Sequence, residues 1–267
     1  MKISTDTAKI EEILTRGVAE VIDREHLKKR LLAGEKLRIK FGIDPTGPIL
    51  HLGHSVPLRL LRRFQNLGHT VIFLVGDFTA RIGDPSGRKE SRPRLTDKEI
   101  KENMKTYTKQ AGEILTMKQV EVRYNSEWFG KMSFTDMFKL FGQVTYGQVS
   151  ARRDFQERIG KDEDFTFSEF TYPIYQGYDS VALKADVEIG GTDQKFNLLM
   201  GRRIQRRYEM EEQDIITVPL LEGLDGVKKM GKSEENYIAL NETPEAMYGK
   251  CMTVPDALIL RYFELCT

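Results

Sequence analysis

The sequence has few of the residues that cross-link or anchor a protein. Only two of its 267 residues are cysteines, Cys251 and Cys266, which is too few for a disulfide framework and typical of a reducing compartment. No apolar run is long enough to cross a bilayer, and the N-terminal segment lacks the apolar core of a signal peptide. We therefore expect a cytoplasmic protein without a membrane span.

The chain also has few histidines and little net charge. The chain has four histidines, and only His51 and His54 are close together in sequence. A metal site needs more ligands than two, so we expect no protein-bound metal. The formal net charge is +1, so no overall field attracts nucleic acid. RNA contacts would depend on local basic segments such as 88–94 and 202–207, and solvated surface is the alternative interpretation of both.

Buried strands alternate with amphipathic helices in the first third of the chain. Apolar residues alternate over 37–43, recur at helical spacing over 51–67, and form an almost continuous run over 70–75. A strand, a helix and a second strand in that order predict a right-handed crossover between parallel strands. The predicted fold class is α/β, with a doubly wound parallel sheet.

Further segments extend this pattern toward both ends. They are an opening helix from about Ile10 to Ile22, a helix over 25–33 ended by Gly34, mostly helical structure over 90–116, a strand over 120–124, a helix pair over 128–146, a helix over 165–183, a strand over 187–189, a basic helix over 197–208, a strand over 215–221 and helical structure after Pro244.

The first motif is HLGH, residues 51–54, at the predicted start of a helix that follows a strand. A helix start presents unpaired backbone N–H groups and the positive end of the helix dipole, which together bind phosphate. The imidazole N–H groups of His51 and His54 would add donors there, and Gly53 leaves room for a flat ring near the backbone. A pair of buried core histidines is the alternative.

The second motif is GVKKMGKS, residues 226–233, which formally matches the phosphate-binding P-loop pattern. A P-loop opens a long helix and is followed by strands that carry a metal-binding acid. Too little chain follows Ser233 for that, and Pro244 interrupts it. We therefore favour a mobile loop whose lysines, Lys229 and Lys232, close over a triphosphate. A solvated basic turn is the alternative.

Polar residues after the second strand and on a later helix suggest a site for a small ligand. Asp84 follows the strand at 70–75, where its carboxylate can hold an ammonium group or merely begin a turn. Tyr172, Gln176 and Asp179 stand at i, i+4 and i+7 and so share one helix face. A small polar ligand with two ends fits that face, and an exposed polar face is the alternative.

A glycine-rich turn, GGTDQ at 190–194, follows the predicted strand over 187–189. Its Asp193 can bind the two hydroxyls of a ribose, as acidic residues do at nucleotide sites. An ordinary polar turn explains these five residues equally well.

Together these motifs resemble the catalytic part of a bacterial-type tyrosyl-tRNA synthetase. HLGH and KMGKS resemble the HIGH and KMSKS signatures of Rossmann-fold synthetases, while GIDPT, IGDPSGR, YxxxQxxD and GGTDQ resemble the tyrosyl branch. The resemblance runs from about Ile10 to the end of the chain, with the motifs in the family's order. It implies a Rossmann-like catalytic domain over 1–225 with a helical connective insertion at about 95–170. The KMGKS loop and the start of a helical anticodon-binding domain would follow over 226–267.

The resemblance also implies a role for each matching residue. The implied tyrosine-binding residues hold the phenol (Asp179), the ammonium group (Asp84, Tyr172 and Gln176) and the carboxylate end (Gln194). The implied catalytic residues contact the reacting phosphates or the leaving pyrophosphate: Thr46, His51, His54, Lys229, Lys232, Ser233, Arg88 and Arg92. The implied ATP-binding residues are Gly42, Asp44, Gly53, Gly191, Asp193 and Lys232.

The implied reaction has two steps. The tyrosine carboxylate attacks the α-phosphorus of ATP, bound with Mg²⁺, to give tyrosyl-adenylate and pyrophosphate, and the tyrosyl group then passes to tRNA(Tyr). Positioning and charge stabilisation suffice for this chemistry without a covalent nucleophile. The expected partners are L-tyrosine, ATP, tRNA(Tyr) and a second copy of the chain, with the aromatic-rich segment 128–146 as the homodimer interface.

The chain departs from the family pattern at three positions and in length. Lys40 stands where many relatives have a tyrosine that contacts the phenol, Phe41 cannot hydrogen-bond a ribose, and Gly231 replaces the first serine of KMSKS. Relatives continue beyond this chain's last residue, so tyrosine activation is the safer prediction and tRNA charging the weaker. Three alternatives remain: a tryptophanyl relative, which Asp179 and GGTDQ disfavour; a paralogue or fragment that only binds tyrosine or RNA; and a P-loop ATPase.

Overall fold

The computed structural model describes residues 2–86 and 95–267 as one sheet with helices on both faces. The strands in these ranges are β1 Glu20–Ile22, β2 Arg38–Ile43, β3 Thr70–Val75, β4 Val120–Tyr124, β5 Val187–Gly191 and β6 Asp214–Val218. The α-helices are α1 Thr7–Thr15, α2 Arg24–Leu32, α3 Leu52–Asn66, α4 Asp97–Met104, α5 Tyr107–Ala111, α6 Ser126–Phe129, α7 Phe134–Phe141, α8 Tyr146–Ser150, α9 Arg153–Gly160, α10 Phe167–Leu183, α11 Lys195–Arg207, α12 Pro244–Cys251 and α13 Ile259–Cys266. Within the described ranges, no helix combines the length and apolarity that crossing a bilayer requires.

The strand order of the sheet is β1-β6-β5-β2-β3-β4. Strands β2 to β6 pair in parallel, and β1 pairs antiparallel with β6 at one edge. The chain runs outward from β2 through β3 to β4, then returns to the other side of β2 for β5 and β6. The predicted doubly wound α/β fold is confirmed, and its topological switch point lies between β2 and β5.

The central strands are buried on both faces. All but the first residue of β3 are buried, which explains its almost wholly apolar sequence. The apolar side of α3, with Leu60, Leu61 and Phe64, belongs to the core cluster that includes Ile39 and Phe73 of the sheet. The predicted strand over 70–75 is confirmed as β3, and the predicted helix over 51–67 as α3.

The opening helix is shorter than predicted. α1 ends at Thr15, and Gly17 has a φ of +66°, a left-handed conformation that stops a helix. Val21 then pairs with Ile216 of β6 as part of β1. The prediction of one helix through Ile22 is therefore wrong, because the second set of apolar residues pairs with β6 in an edge strand. The strand predicted over 215–221 also ends earlier, at Val218.

The chain between β3 and β5 is mainly helical, apart from β4. The predicted helical structure over 90–116 is observed from Asp97 onward as α4 and α5, while 90–94 lies outside the described residues. The predicted helix pair over 128–146 corresponds to the end of α6 and to α7, with Tyr146 opening α8. These helices share a second, aromatic core cluster with α10, built around Phe129, Phe155 and Phe170.

Helices α10 and α11 pack closely against each other at Gly177. A Cβ atom at Gly177 of α10 would lie 2.7 Å from Cδ1 of Ile204 and 3.2 Å from the backbone N of Gly201, both on α11. The absence of a side chain at Gly177 therefore permits this approach. It brings the polar face of α10 and the first turn of α11 together at the carboxyl ends of β2 and β5.

Candidate active site

A cavity of about 520 Å³ opens at the carboxyl ends of the parallel strands, next to the switch point. Ligands bind at this position in doubly wound sheets. Its lining includes every predicted site residue that the structure describes: Gly42, Asp44, Thr46, His51, Gly53, His54, Asp84, Tyr172, Gln176, Asp179, Gly191, Asp193, Gln194, Lys229, Lys232 and Ser233. The predicted residues Arg88 and Arg92 lie outside the described residues.

The start of α3 supplies the two histidines. The backbone N–H of His51 donates to Nδ1 of His54 over 3.1 Å, and the two rings lie 3.9 Å apart between centroids. Burial, together with the charges of Lys232 and Lys229, lowers the pKa of His51 to about 3. Burial likewise holds the pKa of His54 well below its usual value. Both rings are therefore neutral at pH 7.

One ring nitrogen of this histidine pair, Nδ1 of His51, is buried and forms no hydrogen bond with the described residues. A buried polar atom without a partner costs free energy, so a ligand or water that reaches it is stabilised there. The ring lies against Gly53, where a Cβ atom would be 3.0 Å from Cε1 and Nδ1 of His51. The flat ring that Gly53 accommodates in this structure is thus the imidazole of His51.

The lysine-rich loop covers the same end of the cavity from the opposite side. Lys229 pairs across an isolated β-bridge with Glu222, and its Nζ lies 3.0 Å from Oδ2 of Asp193. Lys232 reaches over the turn after β2, since a Cβ atom at Gly47 would be 2.8 Å from its Nζ. Residues Lys232–Glu234 form only a short 3₁₀ turn. The long helix that a P-loop would open is absent after this loop in the described part of the chain.

A sharp turn at the end of β5 places Asp193 beside the cavity. A Cβ atom at Gly191 would lie 2.6 Å from Oδ1 of Asp193 and 2.8 Å from Cδ2 of Leu220, so only glycine fits this position without rearrangement. Gly42, near the end of β2, lines the cavity on the neighbouring strand. The two glycines thus form part of the cavity wall at the switch point.

Asp44, just beyond β2, accepts hydrogen bonds from two residues on other parts of the cavity wall. Its Oδ1 accepts a hydrogen bond from Oγ1 of Thr79 over 2.7 Å, and its Oδ2 accepts one from the hydroxyl of Tyr172 over 2.9 Å. Burial, with the nearby negative charge of Asp44, raises the pKa of Tyr172 well above its usual value. The Tyr172 hydroxyl therefore stays protonated and keeps its donor direction toward Asp44.

Asp84 and Gln194 form the next part of the lining. Oδ1 of Asp84 accepts hydrogen bonds from the backbone N and the hydroxyl of Ser86, over 3.0 and 2.7 Å, and Oδ2 accepts one from Nε2 of Gln194 over 2.6 Å. Burial opposes the charge on Asp84, but Arg152 and these hydrogen bonds outweigh it. The pKa of Asp84 consequently lies below its ordinary value, so the carboxylate is ionised.

Asp179 occupies the deep end of the cavity on α10. It is 3% exposed and accepts hydrogen bonds from Nε1 of Trp128 over 3.0 Å and Nδ2 of Asn125 over 3.4 Å. Burial raises its pKa to about 7, against the opposing effects of Lys40 and these donors. An ionised carboxylate accepts more than two hydrogen bonds, so Asp179 has acceptor capacity left for a ligand hydroxyl.

Beneath Asp179 lies a buried ion pair. The ammonium group of Lys40 lies 2.8 Å from Oε1 of Glu188 and donates to Oγ of Ser180 over 2.9 Å and to the carbonyl of Gln176 over 3.1 Å. Its three N–H donors are thus engaged within the protein. Lys40 therefore contributes charge and support to the cavity rather than a free donor for a ligand.

Four side chains that hold the site together have no signal in the sequence. They are Asn125 and Trp128, which donate to Asp179, and Arg152 and Asn197, which lie behind Asp84, Gln176 and Gln194. No local sequence pattern distinguishes these four residues, because each belongs to a segment whose sequence is typical of an ordinary amphipathic helix or helix start. A buried strand containing a charged residue, as at Lys40 in β2, is a sequence signal for a polar site nearby.

Comparisons with known proteins identify the family of this chain. Residues 32–267 match the family model described as tRNA synthetases class I (W and Y). The chain is 53% identical over 260 residues to the tyrosine–tRNA ligase of Carboxydothermus hydrogenoformans, covering 96% of this chain and 63% of that protein. It is 50% identical over 270 residues to the corresponding ligase of Moorella thermoacetica, covering 100% of this chain and 65% of the relative. The chain thus spans slightly less than two thirds of these relatives' length.

Solved structures share the fold at low sequence identity. A C-terminally truncated mitochondrial tyrosyl-tRNA synthetase from Aspergillus nidulans superposes with a TM-score of 0.80 at 24% identity, over 96% of this chain and 79% of that one. A tyrosyl-tRNA synthetase from Archaeoglobus fulgidus, complexed with L-tyrosine, gives a TM-score of 0.79 at 23% identity, over 98% and 81%. With the family match over most of its length, the chain belongs to the class I tRNA synthetases of the tryptophan and tyrosine enzymes.

Proposed function

We propose that this chain activates L-tyrosine with MgATP, forming tyrosyl-adenylate and pyrophosphate. The observation that carries the proposal is Asp179, a buried carboxylate at the deep end of the cavity with acceptor capacity left after Asn125 and Trp128 have donated to it. A phenol hydroxyl would donate to this carboxylate, whereas a phenylalanine ring would leave it facing an apolar edge. Unpaired buried polar groups are costly, so the arrangement selects tyrosine.

The amino-acid backbone would lie between Asp84 and Gln194. The ionised carboxylate of Asp84 suits an ammonium group, and Tyr172 and Gln176 line the cavity beside it. Gln194 would contact the carboxylate end of the substrate. Once oriented in this way, the tyrosine carboxylate attacks the α-phosphorus of ATP, the bond to the β,γ-phosphates breaks, and pyrophosphate leaves.

The nucleotide would lie along the other half of the cavity. Asp193 would bind the ribose, with Gly42 and Gly191 lining the nucleotide half of the cavity, Gly53 accommodating the His51 ring and Asp44 supporting the site. The groups that would stabilise the developing charge on the phosphates and on pyrophosphate are Thr46, His51, His54, Lys229, Lys232 and Ser233. The neutral imidazoles donate hydrogen bonds and the ammonium groups supply charge, so both kinds of group act in the transition state. Arg88 and Arg92 are proposed as a further clamp on the strength of the family pattern alone.

In the second step, the tyrosyl group would pass to tRNA(Tyr). The basic helix α11 supports a local RNA contact: Arg203 and Arg207 are exposed, whereas Arg202 and Arg206 pair with Glu212. The division into a catalytic domain over 1–225, with its insertion at about 95–170, and a second unit beginning at 226 is part of the same proposal. So is a cytoplasmic location, which the free thiols of Cys251 and Cys266 support.

A homodimer is also part of the proposal. Four aromatic side chains on the insertion and the first turn of α10 are largely exposed: Phe134, Phe138, Tyr146 and Phe167, at 85, 71, 69 and 76%. Exposed apolar groups clustered in one region of the chain are typical of an interaction surface. Replacing Phe134 and Phe138 together by serine should convert a dimer into a monomer in sedimentation velocity experiments.

Exchange of labelled pyrophosphate into ATP tests the activation step directly. The wild-type chain is incubated with tyrosine, and with phenylalanine and tryptophan in parallel. Exchange that requires tyrosine alone is the expected result. Exchange with tryptophan would instead favour the tryptophanyl branch, and ATP hydrolysis without any amino acid would favour a P-loop-type ATPase. Tyrosine binding without exchange would favour a protein that only binds its ligand, and would contradict the proposal.

A further inference from the structure

Arg152 is a buried cation that lies outside the cavity lining but contacts residues that form it. It immediately precedes α9 in the helical segment between β4 and β5, and is 3% exposed. Its guanidinium donates to Oδ1 of Asn197 over 3.0 Å, to Oγ of Ser86, and to Oδ2 of Asp154 over 3.2 Å. Burying a charge is expensive unless it is paired and hydrogen-bonded, so such a complete set of partners indicates a structural requirement at this position.

Asn197, the residue that Arg152 contacts on α11, is fully buried and faces two cavity residues. Its Nδ2 donates to Oε1 of Gln176 over 2.9 Å and to Oε1 of Gln194 over 3.0 Å. Gln194 in turn donates through Nε2 to Asp84. The side chains therefore form one continuous path from Arg152 through Asn197 to the three residues that would hold the amino-acid backbone.

The direction of every bond along this path follows from its first member. A guanidinium only donates, so Arg152 requires the oxygen of Asn197 to face it. The amide nitrogen of Asn197 must then face the two glutamines, and each glutamine must present its oxygen to it. Gln194 is left with its nitrogen toward Asp84, which as a carboxylate can only accept. A reversed amide at any point would place two donors or two acceptors face to face.

We propose that Arg152, whose guanidinium also lies 3.7 Å from Asp84, is a positioning residue that fixes the orientation of the Gln176 and Gln194 amides and thereby sets the affinity for the amino-acid substrate. The proposal rests on the proposed function for its substrate. It adds a residue that touches no substrate but determines which atoms of the site face it. Ser86, which donates to Asp84 and receives a hydrogen bond from Arg152, closes the path at its other end.

The test compares conservative variants in tyrosine-dependent pyrophosphate exchange. Arg152→Lys keeps the charge but loses the forked geometry, and Asn197→Asp keeps the acceptor for Arg152 but loses both donors to the glutamines. Each should raise the KM for tyrosine about tenfold or more, since a charge-assisted or buried hydrogen bond is lost, while the KM for ATP stays within about twofold. Arg152→Met should be worse than Arg152→Lys, because the charge beside Asp84 is lost as well.

The adjacent Arg153 provides a matched control. Its side chain is 89% exposed and pairs only with Glu157 among the described residues, so Arg153→Lys should change neither KM. Variants of Arg152 and Asn197 that melt near the wild-type temperature, yet keep the wild-type KM for tyrosine, would overturn the proposal. An equal loss of affinity for tyrosine and ATP would also overturn it, because it would mark a purely structural role.

A measurement on the wild-type chain does not depend on any variant folding. The side-chain amide protons of Asn197 should be protected from exchange with solvent in ¹⁵N-resolved NMR spectra, with contacts to both glutamines. Asn197 amide protons that exchange with solvent at the rate of a free amide would contradict the proposed hydrogen-bonded path. This measurement needs no tyrosine, so it tests the path independently of the proposed function. The proposed function is tested by the pyrophosphate exchange activity of the wild-type chain.

Discussion

At the amino-acid end of the cavity, each acidic group is held by buried partners: Asp84 by Ser86 and Gln194, and Asp179 by Asn125 and Trp128. At the nucleotide end, Lys229 is half exposed and the loop that carries it contains only one short 3₁₀ turn. Selecting between similar side chains requires fixed polar partners, because only a preorganised group penalises the wrong ligand. Neutralising phosphates that separate during the reaction requires cations that can follow them. From this difference we predict that substitutions at the amino-acid end raise the KM for tyrosine, whereas substitutions at the nucleotide end lower kcat.

The largest effect is expected from the loop. Lys232→Met keeps the aliphatic stem and removes the charge, which should lower kcat about 10²- to 10³-fold, as loss of one transition-state donor does. The KM for tyrosine should change little. Lys228→Met, a nearby lysine outside the cavity lining that pairs with Glu234, is the matched control and should be nearly silent. Steady-state exchange kinetics measure both, and a Lys232 variant with normal kcat and a raised tyrosine KM would break the comparison.

The next effect concerns Asp179. Asp179→Asn keeps the shape but removes an acceptor-only carboxylate, so kcat/KM for tyrosine should fall about 10- to 100-fold. The preference for tyrosine over phenylalanine should fall in parallel, with the KM for ATP preserved. Asp162→Asn is the control, since Asp162 is exposed and has a φ of +57°, which asparagine tolerates. Unchanged discrimination between the two amino acids would exclude Asp179 as the phenol partner.

A pH profile should separate the two ends in the unmodified chain. Burial raises the pKa of Asp179 from 3.8 to about 7, so its acceptor form is lost as the pH falls below that value. We expect kcat/KM for tyrosine to fall roughly tenfold per pH unit below about 6. The histidines have lowered pKa values and stay neutral there. Because the folded state binds the Asp179 proton more tightly than the unfolded state, protonation of Asp179 stabilises the fold. This stabilisation is complete below pH 3.8 and is lost as the pH rises through about 7.

In melting experiments, the difference between the wild type and Asp179→Asn should therefore change with pH over that window. An activity profile that is flat between pH 5 and 8 would show that Asp179 is either ionised throughout or not required.

The smallest effect is expected at Gly231, where the family signature has serine. Gly231 is extended, and the nearest atom that a Cβ would meet is the carbonyl of Lys229 at 3.8 Å, so serine fits without strain. Gly231→Ser should order the loop slightly and change kcat less than about fivefold, leaving the KM for tyrosine unchanged. Gly249→Ser, also in open space, is the control. An effect on tyrosine affinity would show that the loop and the amino-acid end are not independent.

Much of the fold follows from local pattern. The strand over 70–75 and the helix beginning near His51 have apolar spacing typical of these elements, and the predicted crossover places β2 and β3 as parallel neighbours. The opening segment is different, because the apolar residues of 18–22 fit a helix or an edge strand equally well. Pairing with β6 decides the outcome, and that pairing depends on residues nearly two hundred positions away.

The candidate site likewise includes residues that the sequence predicts and residues that it does not. Motifs with tight local spacing, such as HLGH and the Tyr172, Gln176 and Asp179 face of α10, are visible in the sequence. Arg152 and Trp128 are not, because their importance comes from contacts across the fold: Trp128 lies beside α10 and Arg152 beside α11. Sequence pattern therefore identifies the groups that would touch a ligand better than the groups that orient them.

The close approach of α10 and α11 at Gly177 also fixes the distance between cavity groups that lie on different helices. Gln176 and Asp179 are fixed to one helix, and Asn197 to the other. Their separation is set where the two backbones touch, at a residue that faces away from the cavity. A single methyl group at position 177 would displace the Ile204 side chain and require the backbone of α11 to give by a few tenths of an ångström. The distance between the cavity residues of α10 and the Asn197 side chain that orients them therefore depends on a glycine that is not part of the cavity lining.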